Sequence, residues 1–301
     1  MCIRDSYKTG SWLFRTLPRP LAEVSARYGS RFVVLRSEER RLLTERHLQR
    51  VHGPDFVGPE LRAAVYQTFE SYARYWVDSF RLPDTTPEEL DAGFGYEGYE
   101  HIEQALAGGK GAIMVMPHLG GWEWAAFWLN QVMDLPVTAV VEAVQPQELF
   151  DFFVDFRERL GMNIVPLGPA AGSTVMKALR QNHIVCLLSD RDITGDGIDV
   201  DFFGEHTTLP AGPVTIGMRT GAPILPVAVY FRGDGHQAVI RPPMDLTRTG
   251  TFREDLARLT QDLAYELESL IRAAPEQWHL QQPNWPSDHE ALAALEARLA
   301  R

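Results

Sequence analysis

The stretch AIMVMPHLGGWEW (residues 112–124) changes character halfway: five apolar residues run on without interruption and then meet a proline, a histidine, two glycines and a glutamate set between tryptophans. Ala112 to Met116 is long enough for one buried strand, and Pro117, with no N–H to give a ladder, ends it. Trp122 to Val132 reads as the helix that follows. His118 therefore falls at the C-terminal end of a strand, and in open α/β sheets that edge is where ligands bind.

Outward from this stretch, apolar runs alternate with helical periodicities. VTAVV (137–141), NIVPL (163–167), IVCLLS (184–189), DVDFF (199–203), ILPVAVYF (224–231) and QAVIR (237–241) read as strands. Between them PQELFDFFVDFRERLG (146–161) carries Leu149, Phe152, Phe153, Phe156 and Leu160 on one face, and STVMKALRQ (173–181) is a shorter helix. A last helix, residues 252–272, places Phe252, Leu256, Leu259, Leu263, Leu267 and Leu270 at the same spacing. Upstream the chain reads as helical, most clearly over 63–83, where Val65, Phe69, Tyr72, Tyr75, Trp76 and Phe80 recur and Pro83 closes the run. The alternation predicts an α/β fold: a mixed, mostly parallel central sheet flanked by helices on both faces, with the pair 224–241 able to form a hairpin. No internal repeat or low-complexity linker interrupts it. The expected organisation is an N-terminal helical, membrane-associating segment (1–100), an α/β core (101–290) and a C-terminal tail (291–301).

With 301 residues, 45% of them hydrophobic, the chain can bury a large core. Cys2 and Cys186 make neither a disulfide framework nor a thiolate metal site, which suits a reducing cytoplasm. No apolar run reaches the ~18 residues of a membrane span, and the N-terminus lacks signal-peptide order. The opening MCIRDS fits neither the pattern after it nor any targeting signal, and is expected to be foreign to the gene. The net charge of −11 is uneven: residues 1–50 hold 11 Lys/Arg against 5 Asp/Glu, a net +6, leaving −17 on the rest. Arg15, Arg19, Arg27 and Arg31 alternate with Trp12, Leu13, Phe14, Leu17, Leu21 and Val24. That pattern suits a segment lying on an anionic membrane, and it equally suits an amphipathic helix covering the core. The acidic body argues against nucleic acid as a partner.

The chemistry-bearing residues gather at strand ends. Glu123, in the first turn after His118, can approach the imidazole; a carboxylate on one ring nitrogen fixes the tautomer and makes the other nitrogen a general base. Gly120 and Gly121 admit a close approach, and free N–H groups at the helix start can stabilise an oxyanion. No serine or cysteine stands nearby, so the attacking hydroxyl belongs to a substrate. Asp190, Arg191 and Asp192 follow another apolar run, and Arg219 precedes Pro223 and Pro226 at a strand start, so these too converge on the same edge. Each piece has a plain structural alternative: a strand-end histidine, a capping DRD, prolines as edge punctuation.

PHLGGWE resembles the H-x4-D/E motif of the glycerolipid acyltransferase superfamily, and GAPILPV resembles the proline-containing motif near the end of that family's core. SYARYWVDSFRLP, VVEAVQPQELFDFFVDFRERLGMNIVPL, SDRDITGDGIDVDFFGEHTTLPAGP and WHLQQPNWPSD resemble the actinobacterial phosphatidylinositol mannoside acyltransferases, relatives of the lipid A late acyltransferases, over residues 60–290. The resemblance implies His118 as general base and Glu123 as its partner. It implies Glu142, Asp190 and Asp192 bordering the active-site groove, and Arg157 and Arg191 as contacts to a lipid or cofactor phosphate. Many superfamily members have Asp where this chain has Glu123, so another carboxylate can be the orienter. SDRD stands where the glycerolipid branch has an EGTR-type phosphate motif, which weakens glycerol phosphate as acceptor.

The implied reaction carries a long-chain acyl group from acyl-CoA, a co-substrate, to a sugar hydroxyl of a glycolipid acceptor, a mannose of a phosphatidylinositol mannoside. No cofactor or metal is needed. The expected location is the cytoplasmic face of the plasma membrane, peripherally bound to its surface. The acyl tunnel is expected along Phe-rich 149–156 and Trp122, Trp124, Phe127 and Trp128. Alternatives are a lipid A late acyltransferase or another glycerolipid acyltransferase, a metal-dependent sugar transferase using Asp190-Arg191-Asp192 as a D-x-D motif, and a non-catalytic lipid carrier.

Overall fold

The computed structural model describes residues 3–300, with side chains from Thr9 onward; all of MCIRDS, Cys2 included, lies outside the described side chains. Four helices open the chain, α1 (Ile3–Thr16), α2 (Arg19–Arg36), α3 (Glu38–His52) and α4 (Gly58–Arg81), followed by the short α5 (Pro87–Ala92). Then come β1 (Phe94–Glu97), α6 (Tyr99–Ala107), β2 (Ala112–Met116), α7 (Trp122–Gln131), β3 (Val137–Val141), α8 (Gln147–Arg159), β4 (Asn163–Pro166), α9 (Ala171–Arg180) and β5 (Ile184–Leu188). The hairpin β6 (Ile198–Phe202) and β7 (Glu205–Leu209) leads to α10 (Gly212–Thr220), β8 (Ile224–Arg232), β9 (Gly235–Ile240), α11 (Phe252–Arg272) and α12 (Pro286–Leu299).

Seven strands form one sheet in the order β1-β9-β8-β2-β5-β3-β4, parallel throughout except where β8 and β9 pair as an antiparallel hairpin. β2 is buried at every residue, as a central parallel strand should be. One face of the sheet, with Met114, Met116, Ala139 and Cys186, packs against α7; the other, with Ile113, Val115, Val185 and Leu187, packs against α9, α10 and α11. After β2 the chain crosses to β3 and β4, returns to place β5 beside β2, and later adds β8 on the far side. β2 and β5 thus lie at the point where the strand order reverses, the usual position of a ligand crevice.

Two strands, β1 and β7, escape the sequence pattern. EHTTL (205–209) is mostly polar and is held by pairing to β6, while FGYE (94–97) is a four-residue edge strand on β9. The boundaries drawn at 101 and 291 also fall inside structure: β1 belongs to the main sheet, and α12 spans 286–299 with Asp288 and Leu295 buried. α4 joins the N-terminal helices to the core, since Tyr75 packs with Trp122 and Met116 in the larger apolar cluster.

Candidate active site

The parallel register pairs Met116 with Leu188, so the residues two positions beyond each strand, His118 and Asp190, come out side by side. His118 Nδ1 lies 2.6 Å from Asp190 Oδ1, and the His118 backbone N–H donates to Oδ2 at 3.0 Å. A carboxylate can only accept, so Nδ1 carries the hydrogen and Nε2 is left as the base. Asp190 is fully buried and is held in turn: Trp278 Nε1 donates to Oδ2 at 2.7 Å, and Asn284 donates to the Asp190 carbonyl at 2.9 Å. Burial works against charge on His118, but the charge and hydrogen bond of Asp190 outweigh it and the imidazole pKa ends above its ordinary value. Asp190 likewise resists the effect of burial, and the imidazole, the indole and the backbone N–H hold it below the usual carboxylate range.

The second carboxylate goes elsewhere. Glu123 was expected on the imidazole; in the first turn of α7 it points instead to α8 and α4, where Arg157 donates to it at 2.8 and 3.2 Å and Ser79 at 3.2 Å. Glu123 is 2% exposed, and Arg157 supplies the charge that makes its burial tolerable. Arg157, expected on a phosphate, is therefore engaged by Glu123, with its guanidinium 5.2 Å from the centroid of Trp122 and 5.6 Å from that of Phe153.

The N–H groups of the two glycines that precede α7 are both engaged within the protein. Gly120 N–H donates to the Gln277 carbonyl at 3.0 Å and Gly121 N–H to the Val229 carbonyl at 3.1 Å, which stitches the turn to β8 and to the segment after α11. Close approach is what requires glycine here: Gly120 has φ +58°, and a Cβ on it would stand 1.8 Å from the Val229 oxygen.

A cavity of about 590 Å³ opens at His118, whose side chain is 34% exposed. It folds over the carboxyl edge of the sheet and reaches both faces. On one face Tyr75, Trp76, Met116, Trp122, Ala139 and Cys186 meet Leu149, Phe150 and Phe153 of α8; on the other, Leu187 and Val140 meet Val175 of α9 and Pro213 and Ile216 of α10. Trp122 and the phenylalanine-rich helix thus line it as expected. Trp124 does not, because its ring stacks on His236 at 4.3 Å, and Phe127 and Trp128 are packed in the core, Trp128 4.8 Å from Phe94.

The remaining candidates divide. Glu142 and Arg191 line the cavity, 3.8 Å apart as a loose ion pair. Asp192 also borders it, but its oxygens accept from the N–H groups of Thr194, Gly195 and Gly197 and from the Thr208 hydroxyl, so this carboxylate holds its own loop. Asp190 and Asp192 thus serve different partners, which removes the shared metal face that a D-x-D reading requires. Arg219 falls on the exposed side of α10, its guanidinium 5.8 Å from the Phe252 centroid and away from the cavity, because the turn that buries Pro213 and Ile216 points it outward. Sequence reasoning passed over Trp278, Asn284, Arg40 at the cavity wall, and His279, whose N–H donates to the His118 carbonyl at 2.7 Å. Burial, helped by the His118 charge, pushes the His279 imidazole down to about 3, so it is neutral beside the base, with Nε2 2.8 Å from Ser71 Oγ. WHLQQPNWPSD was visible as a motif, but nothing local in it shows that its indole and amide reach back to Asp190.

Residues 7–287 match the family model described as bacterial lipid A biosynthesis acyltransferase. The chain is 36% identical over 292 residues to the phosphatidylinositol mannoside acyltransferase of Mycobacterium tuberculosis (strain CDC 1551 / Oshkosh), covering 94% of this chain and 88% of that protein. It is also 36% identical over 287 residues to the phosphatidylinositol mannoside acyltransferase of Mycolicibacterium smegmatis, covering 94% and 91%. A lipid A biosynthesis acyltransferase of Haemophilus influenzae is 25% identical over 201 residues, covering 65% and 60%.

Proposed function

The chain belongs to the bacterial lipid A biosynthesis acyltransferase family and is an acyltransferase; from that premise we propose that it moves a long-chain acyl group from acyl-CoA to a mannose hydroxyl of a phosphatidylinositol mannoside. The observation that carries the reading is the His118–Asp190 pair opening, through Nε2, onto a cavity that reaches both faces of the sheet. An acyl chain suits the arm between β2, β5, α4 and α8, whose walls are aromatic and aliphatic. The polar parts of donor and acceptor suit the side bordered by Glu142, Arg191 and Arg40.

His118 Nε2 takes the proton of the mannose hydroxyl as its oxygen attacks the thioester carbonyl carbon. The C–S bond of the tetrahedral intermediate then breaks, and the imidazolium returns the proton to the departing thiolate. Asp190 keeps Nδ1–H in place throughout and stabilises the transient imidazolium. The nucleophile belongs to the acceptor, so no acyl-enzyme forms and both substrates are bound together.

The acceptor's lipid tails place the reaction at a membrane surface, on the cytoplasmic face of the plasma membrane, with the protein bound peripherally. No helix among the described residues is long and apolar enough to cross a membrane. The helix α2 supplies a surface for docking: Leu21, Val24, Tyr28, Phe32 and Leu35 are exposed along it while Ala22, Ala26, Ser30 and Val34 face the protein.

The test is mass spectrometry of a phosphatidylinositol mannoside incubated with palmitoyl-CoA and either wild type or His118→Ala. Acceptor gain of one palmitoyl group with wild type, cut about 10²–10⁴-fold in the variant, is expected. Transfer to a lipid A precursor alone would redirect the acceptor assignment, and near-normal turnover by a folded His118→Ala protein would end the mechanism.

A further inference from the structure

Three arginines line the active-site cavity among the described residues: Arg40, Arg157 and Arg191. Two of them are committed. Arg157 is bound to buried Glu123 at 2.8 Å, and Arg191, the residue after Asp190, lies 3.8 Å from Glu142. The exposed guanidinium of Arg40 makes no ion pair or hydrogen bond. Its helical neighbours offer it no carboxylate, because the positions three and four residues away are Arg36, Ser37, Leu43 and Thr44.

The backbone that carries this cation is nonetheless firmly placed. Arg40, Thr44 and His47 fall within about 60° of one another around α3. Thr44 and His47 are buried, and His47 Nδ1 donates to the Leu280 carbonyl at 3.0 Å. Leu280 follows His279, whose N–H holds the His118 carbonyl. Arg40 therefore stands two turns, about 10 Å along a docked helix, from the point where α3 is tied to the segment that fixes the base. In the other direction only Ser37 separates α3 from α2, whose exposed apolar stripe ends at Leu35. An unpaired cation thus occupies the cavity wall between the membrane-facing helix and the catalytic level.

We propose that Arg40 binds the phosphodiester of the acceptor lipid and so selects acceptors that carry a phosphate beside the reacting sugar. This rests on the reading of the acceptor as a phosphatidylinositol mannoside. In such a molecule the phosphodiester joins the lipid glycerol to the inositol, so it lies between the tails held in the membrane and the mannose presented to His118. Arg40 has the corresponding place in the protein. A guanidinium offers parallel N–H groups that match the two free oxygens of a phosphodiester, and no ion pair has to break before Arg40 can use them. The phosphates of CoA present the same chemistry. The position of Arg40 next to α2, rather than on the loop after β5 where Arg191 stands, favours the membrane-held acceptor.

The experiment measures transfer from palmitoyl-CoA to two acceptors, a phosphatidylinositol mannoside and a mannosyl diacylglycerol that lacks the phosphate, by wild type, Arg40→Gln and Arg40→Lys. Wild type should prefer the phosphate-bearing acceptor. Arg40→Gln should raise the KM for that acceptor about tenfold, the low end for a charge-assisted contact because Arg40 is open to solvent, and erase the preference by the same factor. Arg40→Lys should recover part of it, keeping the charge without the fork. The KM for palmitoyl-CoA should stay that of wild type in both variants, and so should flotation with anionic vesicles. An unchanged acceptor preference in Arg40→Gln would place the phosphate elsewhere and overturn the proposal while the acyltransferase reading stands. A raised KM for palmitoyl-CoA in its stead would give Arg40 to the donor, and a loss of vesicle binding that matches the KM change would reduce it to general membrane attraction; either result also overturns the proposal. If wild type acylates neither acceptor, the reading of the acceptor falls and takes the proposal with it.

Discussion

His118 Nδ1 and its backbone N–H both donate to Asp190, and the carboxylate's second oxygen also takes the Trp278 indole, so the base, its orienter and the group that fixes the orienter form one chain of hydrogen bonds. The raised imidazole pKa has a direct kinetic sign. Below that pKa the base is protonated and cannot accept, so kcat/KM falls on the acid side. Asp190→Asn removes the charge that raises the pKa, so the acid limb should move to lower pH while kcat drops, because an amide no longer dictates the tautomer. Glu123→Gln should leave the acid limb in place and instead cost about 3–5 kcal/mol of stability, the usual penalty for stranding the buried Arg157 charge. Rate against pH for both variants, with urea melts alongside, separates the two roles. His118 and Asp190 were each legible as strand-end residues, but their contact was not. It depends on β5 returning beside β2, a pairing across 72 residues of sequence that no local spacing encodes.

At the level of elements, α2 inverts the usual arrangement of an amphipathic helix. At 100° per residue, Leu21, Val24, Tyr28, Phe32 and Leu35 fall within about 80° of one another and face solvent, Tyr28 at 66% and Leu35 at 63% exposure. The opposite stripe of small residues, Ala22, Ala26, Ser30 and Val34, lets α2 sit close to α4. Arg27 and Arg31 flank the exposed stripe and share Glu70, while Arg36 lies over Phe32. Tyr28→Asp with Phe32→Asp should weaken binding to anionic vesicles by roughly a hundredfold or more, since each large apolar side chain is worth about 1.5–3 kcal/mol on burial. Flotation that is unchanged by the double substitution would remove α2 from the membrane surface. The alternation of arginine and apolar residues was readable, and so was the pair of explanations for it. Which side faces the protein was not, because that is decided by the small residues rather than the large ones. Seven strands were legible as apolar runs, whereas β7 is held by its partner strand and left no such run.

Across the whole molecule, the ends of the chain are joined by a buried ionic cluster. Asp288 of α12, fully buried, accepts from Arg46 and Arg50 of α3 at 2.8 Å each and lies 3.2 Å from His47 Nε2; Arg50 also reaches Glu205 of β7 at 2.7 Å and stands over Trp285. Burial works against its charge, but His47 and the two arginines hold the Asp288 carboxyl well below its ordinary range. A depressed carboxyl contributes stability that is whole above the unfolded pKa of about 4 and is lost as pH falls below it. Asp288→Ala should therefore destabilise by about 3–5 kcal/mol near neutral pH, and urea melts repeated toward pH 3 should show the difference from wild type shrinking.

The C-terminal segment has a consequence in time as well as in space. Trp278, His279 and Asn284, which fasten Asp190 and the His118 carbonyl, are synthesised only after every strand of the sheet. A polypeptide halted before them, or clipped there by a protease, retains His118 and Asp190 without the groups that fasten them. Building the sheet and fixing the histidine are therefore separate events, and a nascent chain that has formed only its strands does not yet hold the pair in place.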